Sequence, residues 1–290
     1  MSEFESTDGN RLSLEFKNHP VFNEIKACVE FYGVLSDLVW GFVSPTRNLV
    51  GNLDSSFFDS MEGTVESIKD VLLGGRFADA YSLLRRFMDT TRMQVYVMHC
   101  LRSSRLTDDF DALDTIDSDS EAFLELVERI AQNYYVENVE KWLTGDLSMK
   151  VLKPSQFGSA TIDELNSILD KTKYQLVLDR CNEHLHMNYY KNLRLNHTNI
   201  DNSTQLTLLS QFSRDFRHIY IWHLAHVFTL HPEYMASTDY VDALDCGEPP
   251  EEGSQNWVAP VVQEVFDLII TPYSPDVTNF IRENGGMELC

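Results

Sequence analysis

Within the run Asp179-Arg180-Cys181-Asn182-Glu183-His184-Leu185-His186-Met187-Asn188-Tyr189-Tyr190, one guanidinium, two imidazoles and two carboxamides follow one another over a few helical turns. An imidazole moves protons near neutral pH, and the planar donors of a guanidinium hold phosphoryl oxygens. Arg180 with His186 therefore has the groups needed to cleave a phosphodiester of RNA without a metal. His186 would take the proton of an attacking 2′-hydroxyl, Arg180 would hold the phosphate, and Asn182 would support them. His184 and Asn188 are candidates for substrate contact. Residues four apart share a helix face, so Arg180 aligns with His184 and Asn182 with His186, whereas Arg180 and His186 stand about 120° apart. The same residues would also serve as an ordinary polar seam between helices. Cys181 would act as a nucleophile only with a lowered pKa, which needs a geometry that the sequence does not give.

A second group of cations lies upstream, where Arg76, Arg85, Arg86, Arg92, Arg102 and Arg105 outnumber Asp79 and Asp89. Arg85 and Arg92, seven apart, fall on one helix face and are candidates to seat a phosphate or an RNA strand. Pairing with acidic neighbours is the plainer reading. No metal is expected. His223 and His226 share a face, but there is no HExxH motif, and the aromatic neighbours Tyr220, Trp222 and Phe228 point to core packing of the histidines. The aspartates between Ser103 and Ser120 lack the glycine and the closing glutamate of a calcium loop. Asp239, Asp242 and Asp245 suit the opening turns of a helix capped by Ser237 or Thr238. No cofactor is expected either: neither GxGxxG nor a P-loop occurs, and without a Gly-x-Ser-x-Gly elbow a hydrolase triad has no support.

Composition narrows the classes further. The 290 residues are 43% hydrophobic, ample for a buried core, and carry a formal net charge of -22. Such a charge opposes general nucleic-acid binding and leaves room only for a local basic pocket. Five scattered cysteines without a Cys-x-x-Cys pair, and no signal-peptide pattern at the start, lead us to expect a reducing cytoplasm. The most apolar late stretch, Phe216 to Leu230, is too short to span a bilayer, so no membrane association is expected. Asn196-His197-Thr198 and Asn202-Ser203-Thr204 match glycosylation acceptors, but so short a pattern carries no weight.

The elements that must position these residues are helical almost throughout. The spacing predicts helices over Pro20–Val43, Asp54–Leu73 (stopped by Gly74-Gly75), Phe77–Leu101 and Ala122–Leu143. Another begins with Thr161 as N-cap and Glu164 three places on, running to Leu169 or on towards Arg180. Then come Leu206–Leu230, ending before His231-Pro232, and Val258–Ile270. Ser103–Ser120, Gly145–Ser159, Asn192–Ser203 and the stretch around Pro249-Pro250 are read as loops. The expected fold is all-α, a multi-helix bundle with long antiparallel helices. A flexible acidic tail over 1–18 would precede one helical domain over 19–290, with a subdivision near 200 as the alternative.

The Arg180 to His186 spacing, with Asn182 between, on a helix of an all-α domain, resembles the HEPN superfamily, whose signature is an arginine and a histidine a few residues apart. The run Gly74 to Arg86 also looks like the long helix of HEPN-like bacterial proteins. The resemblance spans about residues 60 to 195, and it departs at Cys181, where the family usually has a polar residue. It implies a metal-independent ribonuclease of a toxin, abortive-infection or other defence system, acting on RNA as a homodimer in which two motifs meet. Arg180 and His186 would be catalytic and Asn182 supporting. The alternative is a non-catalytic helical protein whose acidic surface binds a protein partner.

Overall fold

The computed structural model describes residues 12–40, 52–105, 134–148, 160–185, 195–196, 201–247, 257–285 and 289. Its helices are α1 (Leu14–Lys17), α2 (Val21–Val39), α3 (Leu53–Leu73), α4 (Phe77–Arg105), α5 (Tyr134–Leu143), α6 (Ala160–Ile168), α7 (Lys171–Leu185) and α8 (Asn202–Leu230). A 3-10 turn (Pro232–Met235), α9 (Thr238–Asp245), α10 (Pro260–Val265), a π turn (Phe266–Ile270), α11 (Thr271–Tyr273) and α12 (Pro275–Asn284) complete the order. The fold is an all-α helical bundle, as the periodicity predicts. Among the described residues the only β-type pairing is an isolated bridge between Ala236 and Val258.

The helix ends follow local chemistry. α3 stops where predicted, because Gly75 takes a φ of 71° that a side chain would resist. Its N–H bonds to Leu72 O at 2.8 Å and that of Arg76 to Val71 O at 3.0 Å, the paired bonds of a Schellman motif. Three expected boundaries move. Thr161 is not an N-cap, because α6 already begins at Ala160. Of the two ends expected for that helix, the one at Leu169 is met within a residue: α6 stops at Ile168, and Asp170, whose carboxylate accepts from Thr172 N at 3.0 Å, opens α7 as a separate helix. α8 starts at Asn202 rather than Leu206, since Asp201 caps it through Thr204 N at 2.9 Å. α4 continues to Arg105, into the stretch read as a loop from Ser103; the rest of that aspartate-rich stretch lies outside the described residues. Ser237 is the predicted cap of α9, accepting from Tyr240 N at 3.1 Å.

The chain clusters into two compact units, neither of them continuous in sequence. The first comprises residues 1–34, 58–90 and 170–222. Its core is aromatic: Tyr32 meets Phe58, Phe87 and Tyr220 with ring centroids 6.1, 6.0 and 5.5 Å away, and Phe87 stacks on Phe216 at 5.9 Å. Burying each such ring contributes about 2–3 kcal/mol and fixes the helices that carry it. Beside this core, Arg217 on α8 forks onto Glu24 of α2, with Ser213 bonded to the same carboxylate.

The second unit comprises residues 35–57, 91–169 and 223–290. A buried polar chain crosses its core. The Gln94 amide donates to Asp54 Oδ1 at 3.0 Å, which turns its oxygen towards His223 Nε2 at 2.8 Å. Because a carboxylate only accepts, this order makes the His223 Nε2 the protonated nitrogen. Tyr234 donates to Asp54 Oδ2 at 2.8 Å and accepts from Asn52 at 3.2 Å. His223 and His226 are fully buried, as core packing of these histidines requires, and burial followed by the neighbouring His226 depresses the His223 pKa to about 3.

Candidate functional site

α7 presents a narrow buried stripe, Val177 and Cys181, and the flanks of that stripe carry the predicted site residues. Arg180 closes its Nε–Nη2 edge on Asp215 of α8, with Nε to Oδ2 at 2.7 Å and Nη2 to Oδ1 at 2.9 Å. The Asp215 side chain is only 4% exposed, whereas that of Arg180 retains 34%. Two further donors reach the same carboxylate: Tyr81 Oη to Oδ2 at 2.9 Å and Gln211 Nε2 to Oδ1 at 2.9 Å. The Gln211 amide is oriented from its other end, where Oε1 accepts from Arg214 at 2.9 Å. Four donors thus fill the acceptor capacity of Asp215.

Burial, followed by the charge of Asp215, raises the Tyr81 pKa far above the usual phenol range, so its hydroxyl remains a donor. Burial, the largest single influence, would lower the pKa of Arg180; the hydrogen bond to Asp215 and the charge of that carboxylate together outweigh it and raise the guanidinium, which stays charged. His184, one turn from Arg180, stacks on the Tyr81 ring with centroids 4.4 Å apart. The shared face expected of Arg180 and His184 is therefore realised around Tyr81.

Cys181 is fully buried, its Sγ 3.9 Å from Met88 Sδ. Burial, reinforced by Asp215, pushes its thiol up to about 12 against the opposing pull of Arg85 and Arg180. This removes it as a nucleophile, since a thiolate is required. The charges of Arg85 and Arg180 both pull against this shift. Arg85 is half-buried and holds Asp89 of its own helix at 2.5 Å. Arg92 is half-buried too but belongs to the other unit. Asn182 is half-buried on α7, and His186 and Asn188 lie outside the described residues.

Of the proposed site residues, the structure thus brings Arg180, His184 and Arg85 around Tyr81 and Cys181. It adds Asp215, Tyr81 and Gln211, which the sequence reading did not single out. One signal for Asp215 was present: a carboxylate among Phe212, Phe216 and Ile219 on a helix needs a cation. Among the described residues no group of three or more metal-binding side chains converges, and no helix is long and apolar enough to cross a membrane. No family model, curated protein or solved structure matches the chain.

Proposed function

We propose that the chain is a HEPN-like helical protein that takes RNA on the α4–α7 face of its first unit and cleaves it without a metal, in defence or stress response. The observation that carries this reading is the guanidinium of Arg180, held from the inside by both oxygens of Asp215 and still partly exposed, with half-buried Arg85 on α4, the helix packed against α7. Arg180 and Arg85 hold the phosphate, and His186 takes the proton of the attacking 2′-hydroxyl and returns one to the departing 5′-oxygen. A homodimer, as in the family it resembles, would bring two such faces together.

A second reading has its own support. Asp215 neutralises Arg180, His184 is packed on Tyr81 and Cys181 is sealed, which suits a polar seam in a non-catalytic interaction protein. RNA cleavage in EDTA separates the two. Wild type should cleave, and Arg180→Lys and His186→Ala should each lose about 100-fold or more. Arg180→Lys is preferred to alanine because it keeps a cation beside buried Asp215. Equal cleavage by all three proteins, or none by wild type on varied RNAs, favours the interaction protein.

A further inference from the structure

A guanidinium has two edges that can grip an oxyanion, Nε–Nη2 and Nη1–Nη2. Asp215 occupies the first edge of Arg180 with both its oxygens. No hydrogen bond or ion pair among the described residues engages Nη1, and the side chain keeps a third of its surface exposed. We propose that Asp215 is a positioning residue that splits the Arg180 fork, locking the inner edge so that the Nη1–Nη2 edge becomes a fixed bidentate receptor for an RNA phosphate. This inference rests on the proposed RNA-binding function of that face.

Three features suit Asp215 to this role. It is buried, so it cannot compete for solvent cations. Its two oxygens already accept four hydrogen bonds, from Tyr81, Gln211 and twice from Arg180, so it has no acceptor capacity left to take a proton from substrate. Its own donors are themselves fixed, Tyr81 by burial within the core and Gln211 by Arg214. Rotation of the guanidinium is thereby stopped before substrate arrives, which lowers the ordering cost of binding.

The role makes a prediction opposite in sign to simple electrostatics. Asp215→Asn removes a negative charge near the bound strand, so Coulomb attraction alone would tighten RNA binding. If Asp215 positions Arg180, binding weakens instead. The test is the affinity of the full chain for a short fluorescein-labelled single-stranded RNA, read by anisotropy in EDTA across a salt series. Asp215→Asn should lose about tenfold, and its slope of log affinity against log salt should fall by about 0.7, the loss of one phosphate contact. Asp215→Glu should recover most of the affinity, and inorganic phosphate should compete with RNA on wild type but less effectively on Asp215→Asn. Tyr81→Phe, which keeps the ring, should lose about twofold and carries the test if Asp215→Asn does not fold. Affinity unchanged or tighter in folded Asp215→Asn, or in Tyr81→Phe where that variant stands in, overturns the proposal. A wild type that binds RNA in this Asp215-dependent way yet cleaves none upholds the receptor and removes the nuclease. A wild type that binds neither RNA nor phosphate overturns both.

Discussion

Asp215 and Cys181 show how one buried neighbourhood assigns opposite roles to adjacent groups. The carboxylate is supplied with four donors, while the thiol, one residue from Arg180, meets a sulfur, Met88 Sδ, and among the described residues no hydrogen-bond donor reaches it. A guanidinium beside a cysteine is often a recipe for a reactive thiolate, but here burial and Asp215 outweigh Arg85 and Arg180. Cys181 should therefore resist alkylation in the native protein at pH 8, while exposed Cys246 reacts. Peptide mass spectrometry after brief iodoacetamide treatment checks this, and prompt modification of Cys181 would show that the stripe under α7 is open. The alignment of Arg180 with His184 was legible in the sequence because four-residue spacing fixes a shared face. The partner of Arg180 was not, since Asp215 lies 35 residues away on another helix and only tertiary packing selects it. The His184 stack on Tyr81 was hidden for the same reason, for Tyr81 reads from its spacing as one more apolar core position.

At the level of elements, α4 carries both Tyr81 and Arg85, so its first turn sets where the site begins. That turn is capped from far away. Asn196 accepts from Ala78 N at 3.1 Å and Asp79 N at 3.3 Å and returns its amide to Asp79 Oδ1 at 2.8 Å, while Leu195 O accepts from Phe77 N at 3.0 Å. The donors that a helix leaves open at its N-terminus are thus met by a turn 118 residues away. Asn196→Ala should cost about 1–2 kcal/mol, seen as a lower urea midpoint, and should speed hydrogen exchange at Ala78 and Asp79. Asn196→Asp keeps the acceptor but sets two carboxylates together, so it should also destabilise, and less so at acid pH. Unchanged exchange at both amides in the alanine variant would remove this cap from the account. Helix stops such as Gly74-Gly75 could be read directly, because their chemistry is local. The choice between a stop at Leu169 and a run on towards Arg180 stayed open because apolar spacing continues across Asp170, and the remote cap was hidden because asparagine in a loop carries no mark of its target.

For the whole molecule, two effects compete as the pH falls. The formal charge of -22 repels itself, so titrating carboxylates towards the pI of about 4.6 should stabilise the folded state. Buried histidines act the other way. His223 is held neutral by burial and by His226, with a pKa lowered from 6.5 to about 3, and His218 and His19 are lowered as well, both mainly by burial. A folded pKa below the unfolded one gives stability that is complete above about 6.5 and is withdrawn as the pH falls towards the folded value, because the unfolded chain takes the proton first. For His223 alone the loss approaches about 1.4 kcal/mol per pH unit below 6.5, or roughly 2 kcal/mol by pH 5. The surface charges lie in water and are screened, so their relief is smaller for each group. The urea midpoint should therefore fall between pH 7.5 and pH 5, and His223→Gln, which can still donate to Gln94, should flatten that fall. Added salt should raise the midpoint at pH 7.5, where repulsion is greatest, and do little at pH 5. A midpoint that rises on acidification in wild type would mean that self-repulsion governs the fold and that the buried His223–Gln94–Asp54 chain contributes less than its burial implies.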